Sequence, residues 1–190
     1  QQAMKLYYAV RDGFRYDPYR IEFTPEGLKA SKVLTQGYGY CVSKAILLAA
    51  VGRAVGIPTR LGFADVRNHL SSKKLKAVMQ SDVFAWHGYT EFYLNNRWVK
   101  ATPAFNKLLC EKTHIKPLEF DGVNDSVFHE FDQAGHKHME YLKDHGSFSD
   151  LPYKSILDAY KQQYPVFMQG IDQVAEVDIK GAFDDEASAK

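Results

Sequence analysis

A chain of 190 residues, 45% of them hydrophobic, is long enough for one well-buried domain and short for two. Its formal net charge of +1 argues against nucleic acid and anionic membranes as partners, because no strong field would attract either. No apolar run approaches the roughly 20 residues that a membrane-spanning helix needs. Two cysteines cannot build a disulfide framework, so we expect a reducing, cytoplasmic setting.

The first third of the chain predicts helices. The stretch "QAMKLYYAVRDGFRY" (2–16) carries apolar residues at helical spacing, which predicts an opening amphipathic helix. In "TPEGLKASKVL", Thr24 as N-cap and Pro25 at the first helical position predict a second, short helix. Residues 42–55 form a continuous apolar stripe with helical spacing, and Gly56 supplies its stop.

The middle of the chain predicts strands around one more short helix. "IPTRLGFADV" (57–66) predicts a strand, and residues 73–80 predict a polar helix. "FAWHGYTEFYL" and "RWVKATPAF" predict two strands joined by a two-residue turn at Asn95 and Asn96, because asparagine tolerates the positive φ of a tight hairpin. Helices followed by strands indicate an α+β fold.

The pattern weakens beyond Cys110. We expect loops there, with a strand near "PLEFDG" (117–122) and helices over 132–145 and 153–164. The acidic end of the chain is expected to fray. With no repeat and no linker, we expect a single domain over 1–175, with a core at about 4–106, a C-terminal extension at about 107–175 and a flexible tail at 176–190.

Cys41 directly follows the loop "QGYGY" and opens the apolar helix. A helix N-terminus places partial positive charge and N–H groups beside a thiol, which favours the thiolate. A nucleophilic cysteine also needs a base, and His87 is the best placed of seven histidines because it lies mid-strand among residues expected to be buried. An isolated cysteine at a helix start is, however, more often a small buried hydrophobe.

The residues around these two positions resemble a known family. "GYGYCVSKAILLAAVGRAVGIPTRLGFADV", followed by "HGYTEFYLNNRWVKATPAFN", is similar to the core of the transglutaminase-like superfamily of papain-fold cysteine enzymes. In that family a Gly-x-Cys opens a core helix that ends in Arg-Ala-x-Gly-Ile-Pro-x-Arg, here residues 53–60. A histidine on the next strand precedes a glutamate and an aromatic, here His87, Glu91 and Phe92. The resemblance spans about residues 4–106 and implies that the core helix packs on an antiparallel sheet.

The resemblance implies that Cys41 is the nucleophile and His87 the general base and later acid. The family's third residue, an aspartate directly before a proline, falls here on Thr102, whose hydroxyl can accept a hydrogen bond but carries no charge. Asn106 is the nearest amide that could orient the imidazole instead, and Asp121 is a more distant carboxylate. Either the site works with a non-acidic helper, or it is degenerate and only the fold persists.

Two side chains ahead of the cysteine are candidate donors to an oxyanion. Gln36 and Tyr38 resemble the upstream glutamine or aromatic of similar enzymes, while the backbone N–H of Cys41 is the more dependable donor. We predict no metal and no cofactor, since no acidic cluster suggests calcium and three nearby histidines lack a familiar ligand spacing: His136, His138 and His145.

Two functions remain open from the sequence. The first is a cysteine enzyme that performs acyl transfer or hydrolysis at an amide bond of a peptide or protein through a thioester. The second is a catalytically inactive module of the same fold that binds peptides or partner proteins in an aromatic groove formed by Tyr38, Tyr40, Trp86 and Tyr89. The sequence specifies neither the substrate nor the oligomeric state.

Overall fold

The computed structural model describes residues 1–69, 71–128, 131–132 and 134–171. Its elements, in chain order, are α1 (Gln2–Gly13), β1 (Arg15–Tyr16), α2 (Ala30–Gln36), β2 (Tyr38–Gly39), α3 (Cys41–Ala54), β3 (Thr59–Asn68), α4 (Lys73–Met79), β4 (Val83–Leu94), β5 (Arg97–Ala101), α5 (Lys107–Thr113), β6 (Met139–Phe148), α6 (Tyr153–Gln163) and α7 (Pro165–Ile171). Strands β5, β4, β3 and β6 form, in that order, an antiparallel sheet, while β1 and β2 pair in parallel. The expected α+β fold is confirmed. Among the described residues, no helix has the length and apolarity that crossing a membrane requires.

Helix α3 is the centre of the molecule and packs on β3 and β4. It is buried along most of its length, which explains an apolar stripe that continues around the helix. Its approach to the sheet is close, because a Cβ added at Gly52 would lie 2.7 Å from Thr59 and 2.8 Å from Phe92. Thr90 donates its hydroxyl to the carbonyl of Ala45 at 2.8 Å, which fixes the helix on β4. The predicted core helix on an antiparallel sheet is therefore present.

A buried lysine ties three segments to α3. The Lys44 ammonium, with no solvent exposure, donates to the carbonyls of Arg11 (2.9 Å), Phe14 (2.6 Å) and Ala104 (2.8 Å). These contacts hold the end of α1 and the loop after β5 against the helix that begins at Cys41. Ala104 lies between Thr102 and Asn106, so Lys44 also fixes the segment that carries both candidate helper residues.

Local turn chemistry explains the hairpin and the end of α3. Asn95 and Asn96 have φ values of 49° and 64°, as the two-residue turn between β4 and β5 requires. Gly56, with φ of 79°, follows the end of α3 as predicted. The second helix starts later than predicted, at Ala30, because the Thr24 hydroxyl accepts the Gly27 N–H at 3.0 Å within a preceding turn.

Two predictions for the C-terminal third are wrong. The helix expected over 132–145 is replaced by β6, which pairs antiparallel with β3 from Leu61 opposite Phe148 to Asn68 opposite Met139. This pairing covers an edge of β3 that would otherwise present unpaired backbone groups. The strand expected near 117–122 is absent, because the Leu118 carbonyl accepts side-chain hydrogen bonds from Tyr7 (2.9 Å) and Arg11 (2.6 Å) instead of entering a ladder.

The helix expected over 153–164 is confirmed as α6, and α7 begins at Pro165. Both helices pack on the core, where Ile156 and Tyr160 of α6 are buried together with Tyr164, the residue between the two helices. The segment 176–190, expected to be a flexible tail, lies outside the described residues.

Candidate active site

Cys41 is the first residue of α3, as the sequence predicted. The Ser43 hydroxyl accepts the Tyr40 N–H at 3.0 Å, which fixes where the helix begins. The Cys41 side chain is buried, with only 6% of the residue exposed. Burial raises the pKa of its thiol to about 11, although the backbone N–H groups of Gly88, Val42 and Cys41 itself act to lower it. The thiolate expected from the helix terminus is therefore outweighed by desolvation in this conformation.

Strand β4 contacts the first turn of α3 at the residue after His87. A Cβ added at Gly88 would lie 3.0 Å from the Val42 Cα, so a side chain there would separate the two elements. The structure thus brings the His87 segment of β4 against the helix N-terminus that carries Cys41.

The His87 side chain is buried, and its ring packs against Phe128 with centroids 4.9 Å apart. Burial lowers the pKa of His87 to about 3, so the imidazole is neutral at physiological pH. Its Nε2 atom has no hydrogen-bond partner in the part of the chain that the structure describes. Cys41 and His87 are accordingly both present in uncharged form.

The two candidate helper residues have different surroundings. Thr102 is buried, and its Oγ1 atom has no hydrogen-bond partner within the described ranges, so its hydroxyl does not bond to His87 here. Asn106 is also buried, and its Oδ1 accepts the Tyr16 N–H at 3.1 Å, which fixes the orientation of the amide. Asp121 is exposed, and its carboxylate binds the backbone of its own turn at Val123 and Asn124.

The upstream candidates for oxyanion donors are engaged in other contacts. The Gln36 amide donates to the Tyr38 carbonyl at 2.8 Å, at the end of α2. The Tyr38 ring lies under the Arg20 guanidinium, which is 3.8 Å from the ring centroid. The N–H groups in the first turn of α3 are therefore the candidate oxyanion donors that stay.

Comparison with known proteins identifies the family of this chain. A family model for the transglutaminase-like superfamily matches residues 1–103. The chain belongs to the transglutaminase-like superfamily. The matched region contains Cys41, His87 and Thr102, and it ends before Asn106 and the C-terminal helices.

One solved structure with a similar fold is provisionally described as a cysteine protease from Cytophaga hutchinsonii. The two proteins share 16% sequence identity with a TM-score of 0.41; the alignment covers 77% of this chain and 42% of that protein. A likeness at this level supports no inference about activity. No curated protein matches the chain significantly. Membership of the transglutaminase-like superfamily supports a protein of the general cysteine-enzyme kind.

The three histidines considered as metal ligands lie in separate contacts. His136 pairs with Asp132 at 3.0 Å, and His145 pairs with Asp65 at 2.7 Å. His138 is buried, with its ring 6.1 Å from that of Phe128. Among the described residues, no group of three or more His, Cys, Asp or Glu side chains is arranged to hold a metal ion.

Sequence reasoning missed an irregular turn of β4 directly before His87. Trp86 has φ of 54°, a left-handed conformation that is strained for a bulky residue, and the β3–β4 register shifts at this point. Asp65 holds the turn by accepting the Trp86 N–H at 2.9 Å and bonding to His145 Nε2 at 2.7 Å. The His145 ring stacks on the Trp86 indole at 4.1 Å. No local sequence signal marks this turn, because its partners, Asp65 and His145, lie on two other strands, β3 and β6.

Sequence reasoning named Tyr40 but missed Tyr16 and Tyr160, which belong with it to the buried cluster that contains Cys41. The pKa values of Tyr16 and Tyr40 are raised well above the ordinary range, mainly by burial and to a smaller extent by the charge of the nearby Cys41. For Tyr160 the causes are burial, then Tyr40 and Cys41. The four aromatic residues expected to form one groove do not all lie together. Tyr89 lines a separate groove with Lys100, and Tyr38, Tyr40 and Trp86 do not line that groove.

Proposed function

We propose that this transglutaminase-like protein is a cysteine enzyme that performs acyl transfer or hydrolysis at an amide bond of a peptide or protein. The observation that supports the proposal is the start of α3, where β4 contacts the first turn of the helix at the residue after His87: a Cβ added at Gly88 would lie 3.0 Å from the Val42 Cα. The contact lies inside the region that matches the superfamily. A thiol at a helix N-terminus beside a histidine is the arrangement that nucleophilic catalysis by cysteine requires.

In the proposed reaction, His87 accepts a proton and then gives it up in each of two half-reactions. The Cys41 thiol gives its proton to His87, and the sulfur attacks the carbonyl carbon of the amide. N–H groups in the first turn of α3 stabilise the oxyanion. The C–N bond breaks as the imidazolium of His87 protonates the leaving amine, which leaves a thioester on Cys41. Water or a second amine then attacks the thioester while His87 accepts its proton; the C–S bond breaks to release the acid or the new amide, and His87 returns the proton to the Cys41 sulfur.

The imidazole needs an orienting group, and the chain offers two without a charge. Thr102 occupies the position of the family's aspartate, while Asn106 offers an amide oxygen whose orientation the Tyr16 N–H already fixes. The thiolate–imidazolium pair needs alignment of the imidazole more than it needs an added negative charge. We therefore propose a Cys41–His87 dyad with a non-acidic helper residue.

A second function is favoured by the state of the two groups. The raised pKa of Cys41 and the lowered pKa of His87 both result from burial, and the aspartate of the family is replaced by Thr102. These features fit an inactive module that binds peptides or partner proteins. The enzyme is the first choice, because a binding module would not need both Cys41 at the start of α3 and His87 on β4.

The deciding experiment compares two cysteine variants. The protein is incubated with glutamine-containing peptides, with and without a primary amine, and released ammonia and new peptide products are measured. Cys41→Ala is expected to abolish turnover. Cys110→Ala is the matched control, because Cys110 is also buried and its pKa is also raised, to about 12, but it lies in α5. Equal turnover by wild type and Cys41→Ala would overturn the proposal.

A further inference from the structure

The end of the described chain packs against β4, the strand that carries His87. Residues 153–171, which form α6 and α7, are called the strap below. One face of the strap is buried at Ile156, Tyr160 and Tyr164, whereas Lys154 and Lys161 are exposed. An amphipathic helix of this kind owes its position to the packing of its apolar face.

The strap is attached at one end to the segment before α2. The rings of Phe23 and Tyr153 stack at 5.3 Å, and the Tyr153 hydroxyl donates to the Phe23 carbonyl at 3.1 Å. The ring of Tyr160 lies 5.0 Å from the same phenylalanine. Phe23 is thus held by two tyrosines, seven residues apart, that the strap supplies.

At the other end, the strap is attached to β4 just before His87. The Tyr164 hydroxyl accepts the Ala85 N–H at 2.6 Å and donates to the Val83 carbonyl at 2.7 Å. Ala85 lies at the irregular turn of β4 and is left out of the β3–β4 pairing, whereas Val83 pairs with Arg67 of β3. Tyr164 therefore satisfies the Ala85 N–H, a donor that the turn leaves open.

Between these attachments the strap joins the buried apolar cluster that contains Cys41. Cys41, Tyr40, Tyr160 and Tyr164 belong to one buried apolar cluster. Cys41 acts on the titration of both strap tyrosines, which agrees with their proximity to the thiol. The strap also lies outside the region that matches the superfamily, so it is an addition to the common core.

We propose that the strap is an autoinhibitory segment that occupies the substrate cleft in cis and keeps Cys41 inaccessible until it is displaced. The inference rests on the proposed function, since only a working site needs such control. Displacing the strap would return water to the thiol and leave Phe23 and Tyr40 as an aromatic wall for the acyl donor. The exposed residues Ser149 and Asp150, between β6 and α6, supply a link about which the strap could move.

Thiol labelling of the full chain tests access without requiring catalysis. Wild type, Ile156→Ala, Tyr164→Phe and the control Lys161→Ala are treated with iodoacetamide, and labelling of Cys41 and Cys110 is followed by peptide mapping. Both cysteines are free and buried, so Cys110 reports global opening of the same molecule.

Ile156→Ala should accelerate Cys41 labelling about tenfold or more, because it removes a fully buried side chain from the strap. Tyr164→Phe should accelerate it about fivefold, since the Ala85 N–H loses its partner. Cys110 labelling and the Lys161→Ala rates should remain at the wild-type level. Selective acceleration without amide turnover in any variant would show that the strap covers Cys41 but would refute the enzyme, and with it the autoinhibitory role.

Two results would overturn the strap proposal. In the first, Cys41 labels at the wild-type rate in both Ile156→Ala and Tyr164→Phe. In the second, Cys41 and Cys110 accelerate by the same factor, which would mean that Cys41 becomes accessible only on global unfolding. Neither result bears on whether wild type turns over an amide through Cys41.

Discussion

The half of the chain that matches the superfamily and the part that follows it contribute to one site by different means. Residues 1–103 place Cys41 and His87 through buried polar contacts, such as those of Lys44 and Thr90 with backbone carbonyls. The strap contributes Tyr160 and Tyr164 to the buried apolar cluster that contains Cys41. The family core thus carries the proposed reactive groups, whereas in our proposal the segment outside it controls their exposure to water. Family membership therefore indicates a chemistry without indicating its accessibility.

The largest expected effect tests the polar side of this comparison. Lys44→Met keeps the length of the side chain but leaves the carbonyls of Arg11, Phe14 and Ala104 without their donor. We expect a loss of about 3–5 kcal/mol in the free energy of unfolding, measured by urea denaturation. Lys5→Met on the exposed side of α1 is the control and should change stability by less than about 0.5 kcal/mol. Similar losses in the two variants would show that Lys44 is no anchor.

The second effect follows from the burial of His87. Its folded pKa of about 3 lies below the ordinary value of 6.5, so the unfolded state binds more protons between these values. Stability from neutral His87 is thus fully present above pH 6.5 and is lost toward pH 3, by up to about 1.4 kcal/mol per pH unit. His87→Gln should remove this component, so that its unfolding free energy falls less steeply than that of wild type between pH 6.5 and 4.

The control for the acid titration is His114→Asn. His114 is exposed with φ of 56°, a conformation that asparagine tolerates. Its pH profile should run parallel to that of wild type. A His87→Gln profile that also runs parallel to wild type would show that His87 is solvated in the folded protein, contrary to the buried position described above.

The third effect separates the two helper residues in turnover. Asn106→Ala should lower the rate about tenfold to a hundredfold, since it removes an acceptor oriented by the Tyr16 N–H. Thr102→Val should have the smaller effect, because the Thr102 hydroxyl makes no hydrogen bond within the described ranges. Asn106→Asp retains an acceptor and should restore part of the rate. If Thr102→Val is the more damaging change, the position of the family's aspartate keeps the orienting role.

Much of the core could be predicted because its signals are local. The apolar stripe of α3 and the turn at Asn95 and Asn96 each depend on neighbouring residues. The pairing of β6 with β3 joins residues that lie 71 (Asn68 and Met139) to 87 (Leu61 and Phe148) positions apart, so local periodicity there predicted a helix instead. The helix terminus suggested a lowered pKa for Cys41, but burial raises it to about 11. Composition near Cys41 carries no sign of contacts made by Tyr160 and Tyr164.

The smallest expected effect lies where the two parts of the molecule meet. Asp65 on β3 accepts the Trp86 N–H and bonds to His145 of β6, so one carboxylate oxygen supports the strained turn from both sides. Asp65→Asn keeps an acceptor of the same size but loses the charge, and we expect unfolding to become easier by about 1–2 kcal/mol in urea. Asp158→Asn, on the exposed side of α6, should match wild type.

Because the turn precedes His87, Asp65→Asn should also alter the ring NMR signals of His87. An unchanged His87 spectrum together with unchanged stability would mean that the turn is held by β4 itself, and that the C-terminal part contributes to the site only through the strap.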